Sequence, residues 1–559
     1  MPDPLDTLRV TIRSAADSLL DGTAESVAVA PTLERPPKPE LGDYSTNAAM
    51  LLAPALGEPP RTVAERLRDH LGTLLGPTVD RIEVAGPGFV NLFLADRWYR
   101  DSVVALLGAR GEFGGGTAQQ REPVLVEFVS ANPTGPLHAA SGRHAAYGDA
   151  LARVLAFAGH DVQREYYLND MGRQIRQFGE SIAARMRGEE PPEDGYRGDY
   201  VIDLAKQLAD EGADPADPDT LARRGVEIMR ERIEATLERF GVRFDTWSSE
   251  RSMYERGALD AAIEKLREGG HVYESEGAVW LRTTTFGDDK DRVLIRSDGT
   301  PTYFAPDIAY HYDKLERADG RLIDVLGADH HGYLARMRAA IAALGEDPDR
   351  FEAQIIQMVH VELRGERTQM SKRQGTFVPL DELLDDIGTD ATRFFMLQRS
   401  HETTVDVDLE LARKESPDNP VYYVQYAHAR IASILRKARA EGAAPPGDGD
   451  EDVDEGAVLA AARNEMALAT VPEPAERALI QRLLEFPAEV QAAAARRAPQ
   501  RLAAYATSTA ADFHAFYRDC LVVGAGEGLE QGRLALSIAA QRVIARTLDL
   551  LGVSAPERM

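Results

Sequence analysis

The sequence predicts an α/β protein: a Rossmann-like parallel-sheet domain in the middle, an N-terminal α+β module in front of it and a C-terminal all-α helical domain behind it. Three observations predict this. The near-continuous apolar run VLVEFV (124–129) is followed by a loop containing proline and glycine, a helical pattern and a second strand pattern, DVQREYYL (161–168). That succession is a βαβ unit, which needs a parallel sheet and a right-handed crossover. Before it, helix and strand patterns mix without regular alternation, and beyond about residue 405 the 3.6-residue period dominates. At roughly 100–200 residues per domain, 559 residues accommodate all three units.

Taken in order, the module expected over 1–112 opens with a helix: Leu5, Leu8, Ile12, Ala16, Leu19 and Leu20 fall near one helical face. A proline-rich loop (Pro31, Pro36, Pro37, Pro39) leads to GDYSTNAAMLLAPAL (42–56), a second helix with Ser45, Thr46 or Asn47 near its cap. RIEVAGPGFVNLFL (81–94) reads as two strands around the turn Gly86-Pro87-Gly88, and FGGGTAQQREP (113–123) reads as a linker. In the α/β domain, expected over 120–400, the helix after the first strand carries Tyr147, Ala150, Leu151, Val154, Leu155 and Ala158 on one face and stops at Gly159. VLIRS (293–297), LIDVLGA (322–328) and QIIQMVHVEL (354–363) supply later strands, and a charged helical insertion spans about 180–245. The domain over 405–559 is helical except for GAAPPGDGDEDVDEG (442–456), whose acidic, turn-rich composition reads as a disordered surface loop.

Composition limits what the chain can be. A net charge of −27 excludes a protein that coats DNA through an overall basic surface, while leaving local basic grooves open. The one cysteine, Cys520, excludes an intramolecular disulfide framework and a cysteine-based zinc site, and fits a reducing cytoplasm. No apolar run reaches membrane-spanning length, and MPDPLDTLRVTIRSAADSLL lacks the basic leader and apolar core of a signal peptide. A cytoplasmic location and no membrane partner are therefore expected.

Two segments concentrate residues suited to phosphate chemistry. SANPTGPLH (130–138) joins the first strand to its helix, at the carboxyl end of a parallel strand, where open sheets bind ligands. Pro133, Gly135 and Pro136 shape the turn and admit close backbone approach, the helix start offers free N–H groups, and His138 can donate to a phosphate there. Alone, these residues describe an ordinary strand–helix loop better than a binding site. The second segment, RGERTQMSKRQGTF (364–377), gathers Arg364, Arg367, Lys372 and Arg373 and suits a triphosphate whose charge grows in a transition state. Alone, it is equally a solvated charge run.

Together, in this order, the two segments resemble the signature motifs of class I aminoacyl-tRNA synthetases. His138-Ala139-Ala140-Ser141 stands where that class carries His-x-Gly-His, and Gln369-Met370-Ser371-Lys372 where it carries Lys-Met-Ser-Lys. With GDYSTN (42–47), GPGFVN (86–91), YYLNDMGRQI (166–175), RSDGTPTYFAPDIAYHYDK (296–314), LGADHHGY (326–333), DNPVYYVQYAHAR (418–430) and the terminal LGVSAPERM, the chain resembles arginyl-tRNA synthetases over nearly its whole length.

The resemblance implies a ligase that activates L-arginine with ATP, releasing pyrophosphate, and passes the arginyl group to the 3′ end of tRNA(Arg). It implies His138, Ser371 and Lys372 as catalytic residues, and Pro133, Gly135, His138, Ser141, His330, Met370 and Lys372 at ATP. Mg2+ travels with the nucleotide rather than in a protein cage, and no metal site of the protein's own is expected. The guanidinium is always charged and forks onto carboxylates, so Glu250 and Asp307, with Tyr303 beside them, are its expected partners. Glu127 and Asn132 are expected at the amino-acid head. The family's front domain touches the tRNA elbow and its last domain reads the anticodon, here with Tyr422, Tyr426 and Arg430. Arg436, Lys437 and Arg439, then Arg496, Arg497 and Arg501, add basic stretches, and Tyr423 and His428 add aromatics, although Tyr423 and Tyr426 suit a helix-core stripe as well. The family leans to monomers and commonly activates arginine only with tRNA present.

Three positions depart from the signatures. Ser141 replaces the second histidine, a role for which His144 or Arg143 is a candidate; Ala140 replaces glycine; and Gln369 replaces the first lysine. The adjacent His330 and His331 lack a third metal ligand and suit a ribose or adenine pocket, or a plain loop. The departures leave room for a tRNA-binding regulatory protein with weakened catalysis. An ATP-dependent ligase of an amino acid to a small molecule is a further alternative, against which the C-terminal helices count.

Overall fold

A computed structural model describes residues 3–20, 31–330, 332–363, 366–367, 378–444, 447, 453–465, 472–526 and 529–559. Helix α1 (Pro4–Leu20) buries the apolar stripe expected of it and packs on α2 (Ala48–Leu56) and α3 (Pro60–Leu75). Between α1 and α2, Tyr44–Thr46 forms a strand, β1, where the sequence reading had only a helix cap. β1 pairs with β3 (Phe89–Leu94), which pairs with β2 (Val79–Ala85). α4 (Asp96–Gly108) closes the module. The glycine segment behind it is no free linker: Gly116 and Ala118 donate their N–H groups to the carbonyls of Phe157 and Ala158, each at 2.9 Å.

The central sheet is built from β4 (Pro123–Glu127), β5 (Asp161–Leu168), β6 (Thr246–Ser249), β10 (Arg321–Gly327) and β11 (Phe351–Ile356), in spatial order β11-β10-β4-β5-β6 and all parallel. α5 (Ala139–Ala158) makes the first crossover and ends on Gly159 at φ +112. The chain runs outward from β4 through β5 to β6, then returns to lay β10 on the other side of β4. That reversal opens a crevice at the carboxyl ends of β4 and β10.

The excursions are helical and antiparallel. α6 (Arg173–Met186), α7 (Asp199–Asp210) and α8 (Pro218–Arg239) form the insertion, with a core of their own. After β6 come α9 (Glu250–Glu255), α10 (Ala258–Glu268) and a small antiparallel sheet of β7 (Val272–Ser275), β8 (Ala278–Leu281) and β9 (Arg292–Ile295). VLIRS therefore belongs to this side sheet and not to the parallel one. α11 (Phe304–Ala318) leads back into β10, and α12 (Tyr333–Ala343) connects β10 to β11.

QIIQMVHVEL is two strands, because β12 (Val359–Leu363) leaves the parallel sheet to join β13 (Glu366–Arg367) and β14 (Val405–Asp408). β14 also places a strand at the start of the region read as helical. α13 (Leu380–Leu397) precedes β14, and α14 (Leu409–Ala412) follows it.

The last unit holds α15 (Pro420–Ala440), α16 (Glu455–Glu465), α17 (Pro474–Leu484), α18 (Phe486–Ala495), α19 (Gln500–Asp519) and α20 (Glu530–Leu551). Within the acidic stretch 442–456, residues 445–446 and 448–452 lie outside the described residues, and Glu455 already begins α16. α20 packs against α4, α5, α15 and α19, so one hydrophobic core runs through all three parts of the chain. Among the described residues, no helix is long and apolar enough to cross a membrane.

Candidate active site

The loop after β4 begins under strain. Val129 and Ser130 sit at φ +69 and +39, and a β-branched residue adopts that region only when its surroundings over-determine it. The surroundings do so here. Ser130 Oγ donates to Glu127 Oε1 (2.8 Å) and accepts from the Tyr167 amide (3.1 Å). The Tyr166 hydroxyl donates to the Ala131 carbonyl (2.7 Å), Asn132 Nδ2 to Gln174 Oε1 (2.5 Å), and the Tyr200 hydroxyl to the Thr134 carbonyl (2.8 Å). Pro133 and Gly135 are buried. A Cβ on Gly135 would stand 3.0 Å from the Tyr200 hydroxyl, so the neighbour that requires glycine there is Tyr200.

His138 is the N-cap of α5, its Nδ1 accepting from the Ser141 amide at 3.4 Å, and Ser141 is buried beneath it. On either side of His138 the backbone pairs with the chain before α13. The Ala139 amide donates to the Val378 carbonyl (3.2 Å) and the Leu380 amide to the Leu137 carbonyl (2.8 Å). The chain that follows the second signature thus returns to the first. Gln369, Met370, Ser371 and Lys372 themselves, with Arg364 and Arg373, lie outside the described residues, as does His331. Arg143 cannot replace the missing histidine: it is 1% exposed and gives its guanidinium to the carbonyls of Gln357, Met358, Ser400 and Thr403. His144 is half-buried.

An acid-rich pocket lies at the same edge. Glu127, the last residue of β4, faces Asp324 of β10 in register. Between them stands Lys314 of α11, fully buried, with Nζ 2.8 Å from Glu127 Oε2 and 2.7 Å from Asp324 Oδ1. His311 adds contacts from Nε2 to Asp324 Oδ2 (2.8 Å) and from Nδ1 to the Asp307 carbonyl (2.7 Å). Burial drives the Glu127 carboxyl above its ordinary range against the pull of Lys314. Burial pushes Asp324 upward too, but Lys314 and His311 overcome it and hold Asp324 low. Next to this row, Glu165 accepts both guanidinium nitrogens of Arg317 (3.0 and 2.9 Å), Ser248 Oγ (2.7 Å) and the Tyr310 hydroxyl (2.8 Å).

Glu250 opens α9 at the end of β6, half-buried and hydrogen-bonded to Tyr167. Burial, with Asp307 and Asp170 nearby, pushes its carboxyl up to about 7. Burial likewise pushes Asp307 of α11 up to about 6, opposed by His311 and reinforced by Glu127. The pocket therefore holds more acid than its own cations balance. Tyr303 does not share the environment of Asp307: it precedes α11 as its cap residue and is 85% exposed. His330 is exposed in a 3-10 turn after β10, its ring edge-on to Tyr333 at 5.9 Å. Sequence reasoning missed Lys314, Asp324, His311, Glu165 and Arg317. The one available signal was Asp324, an acid inside the apolar run LIDVLGA.

On α15, the rings of Tyr422 and Tyr426 stack 6.0 Å apart, and Arg430 lies over Tyr426 (4.9 Å) and over Tyr517 of α19 (4.8 Å). Tyr423 lies against His514 (4.7 Å) and the edge of the core, and Tyr426 approaches the same histidine at 6.0 Å. His428 is no stacking aromatic: it is buried, with Nδ1 2.8 Å from the Pro556 carbonyl. Arg497 and Arg501 are spent on Glu352 and Glu489, so that stretch is not a free basic patch.

A parallel sheet in this order, with a histidine-capped helix at its switch point, fits the catalytic fold of a class I aminoacyl-tRNA synthetase. The family model "tRNA synthetases class I (R), catalytic domain" matches residues 102–193 and 200–430. "Arginyl tRNA synthetase N terminal domain" matches 6–94 and "DALR anticodon binding domain" 424–559. Curated arginine–tRNA ligases of Shouchella clausii (44% identical, 99% of each chain covered) and Geobacillus thermodenitrificans (46%, 94% of each) are similar throughout. The solved arginyl-tRNA synthetase of Thermus thermophilus matches with a TM-score of 0.76 at 28% identity, over 99% of this chain and 100% of that one. The chain belongs to the arginyl-tRNA synthetase family.

Proposed function

We propose that the chain is an arginine–tRNA ligase that works as a monomer in the cytoplasm, joining L-arginine to tRNA(Arg) at the expense of ATP. The observation that carries this is the excess of buried carboxylate at the carboxyl edge of the sheet, beside the loop that caps α5. A guanidinium supplies the missing positive charge. Glu250 and Asp307 grip it, and Glu127 and Asn132 hold the head group. The amino-acid carboxylate is then left at the switch point, in front of the start of α5.

ATP lies across Pro133, Gly135 and Ser141, with its sugar and base towards His330. The carboxylate attacks the α-phosphate in line and pyrophosphate leaves. His138 at the helix start and Lys372 on its loop stabilise the charge growing on the leaving group, and Met370 and Ser371 seat that loop. Mg2+ arrives with ATP, held by phosphate and water. The tRNA then accepts the arginyl group at its terminal ribose. Residues 1–112 bear on its elbow, while the domain over 405–559 reads the anticodon, with unpaired bases stacking on Tyr422 and Tyr426 beside Arg430. Residues 120–400 carry the chemistry.

The test is charging of tRNA(Arg) with radiolabelled arginine by the purified protein, together with arginine-dependent ATP–pyrophosphate exchange. Charging that falls by roughly a hundredfold or more in His138→Ala and in Lys372→Ala supports the assignment. A protein that binds tRNA(Arg) but neither exchanges nor charges overturns it.

A further inference from the structure

We infer that Asp170 is a positioning residue for arginine recognition, fixing the Glu250 carboxylate through the backbone on both sides of it. This rests on the proposed role of Glu250. Strands β5 and β6 run parallel with Leu168 opposite Ser249, so the two chains leave the sheet side by side. Asp170, 9% exposed, crosses that gap. Its Oδ2 accepts from Ser249 Oγ (2.6 Å) and its Oδ1 from the Arg251 amide (2.8 Å). The Arg251 guanidinium returns to the Asp170 carbonyl at 2.9 Å. Ser249 Oγ in turn accepts from the Ser252 amide at 3.0 Å. Glu250, between the two residues Asp170 holds, thus has its backbone fixed from a neighbouring strand end, while its side chain remains on Tyr167.

Asp170 acts on Glu250 in a second way. The titratable groups facing that carboxyl are Tyr167 from β5, Asp170 from the loop after it, Tyr254 on α9 and Asp307 on α11, and the neutral amide of Asn169, oriented with its nitrogen towards Glu250, donates to Oε2 at 3.0 Å. Tyr167 favours ionisation; the two acids oppose it. Removing the Asp170 charge should therefore ease ionisation of Glu250 even as it loosens its geometry. The two effects have opposite signs and can be read separately.

The experiment is the pH dependence of KM for arginine in tRNA charging, measured for D170N, S249A and E250Q. Asp170→Asn should raise KM for arginine roughly tenfold at pH 8, leave kcat and KM for ATP within about twofold, and shift the low-pH rise in KM to lower pH. Ser249→Ala removes two hydrogen bonds, the one to Asp170 and the cap of α9, and no charge, so KM should rise while the low-pH rise stays where it is. Unchanged KM for arginine in D170N overturns the inference. So does a rise shared equally by arginine and ATP with no pH shift, as does an unaltered S249A if D170N does not fold. Unchanged KM for arginine in E250Q would instead sink the underlying assignment of Glu250.

Discussion

The acid pocket on the parallel sheet and the aromatic patch on α15 are built from similar residue types and treat them in opposite ways. In the pocket, Lys314 and Glu165 are buried and their charged atoms are met by partners fixed to strands or helices. On α15, Arg430 lies partly open between two tyrosine rings. Buried charge sets geometry and makes affinity depend on pH, because each carboxylate is far from its ordinary environment. Half-exposed arginine and aromatics give contact that tolerates a moving partner and weakens with salt. One region is suited to choosing a small cation, the other to holding a nucleic acid.

The largest consequence should come from breaking the buried row. Lys314→Met leaves Glu127 and Asp324 facing each other without the ammonium between them and should cost about 3–5 kcal/mol of stability, read as a lower urea midpoint. Next, Asp307→Asn should raise KM for arginine by roughly a hundredfold with KM for ATP unchanged, the loss of one charge-assisted contact to the guanidinium. A smaller effect follows from pH alone. Glu250 and Asp307 take up protons as pH falls through about 7 and about 6, and a protonated carboxyl cannot balance a guanidinium. KM for arginine should therefore be lowest above pH 7.5 and about tenfold higher at pH 6, with KM for ATP moving less. The smallest change belongs to α15. Arg430→Ala should raise KM for tRNA about fivefold and leave KM for arginine alone. If Arg430→Ala instead altered arginine affinity, the two regions would not be separable.

What the sequence made legible follows from locality. β4, α5, Gly159 and β5 are consecutive, and an apolar run followed by an amphipathic helix encodes them directly. QIIQMVHVEL failed as one strand because its partners change midway. Arg143 takes the carbonyls of Gln357 and Met358, and the chain passes from β10 to β14, which periodicity cannot reveal. VLIRS looked like its neighbours for the same reason: alternation marks a strand without naming its sheet. Glu127, Glu250 and Asp307 could be named from motif resemblance, but the lysine that organises Glu127 could not. Lys314 lies 187 positions from Glu127, and nothing in the sequence near either residue marks the pairing. Tyr303 shows the converse: the resemblance placed it beside Asp307, yet it precedes α11 and is exposed.

The most direct measurement is the ratio of kcat/KM for arginine to that for citrulline, whose urea group has the same shape and no charge. The wild-type enzyme should prefer arginine by more than about 10⁴, because citrulline leaves buried acid unbalanced. In the Glu250→Gln, Asp307→Asn double variant the ratio should fall by roughly a hundredfold, through loss of arginine activity more than gain with citrulline. A double variant that is slower with both substrates at an unchanged ratio would contradict the account, since those acids would then serve the fold and not the guanidinium.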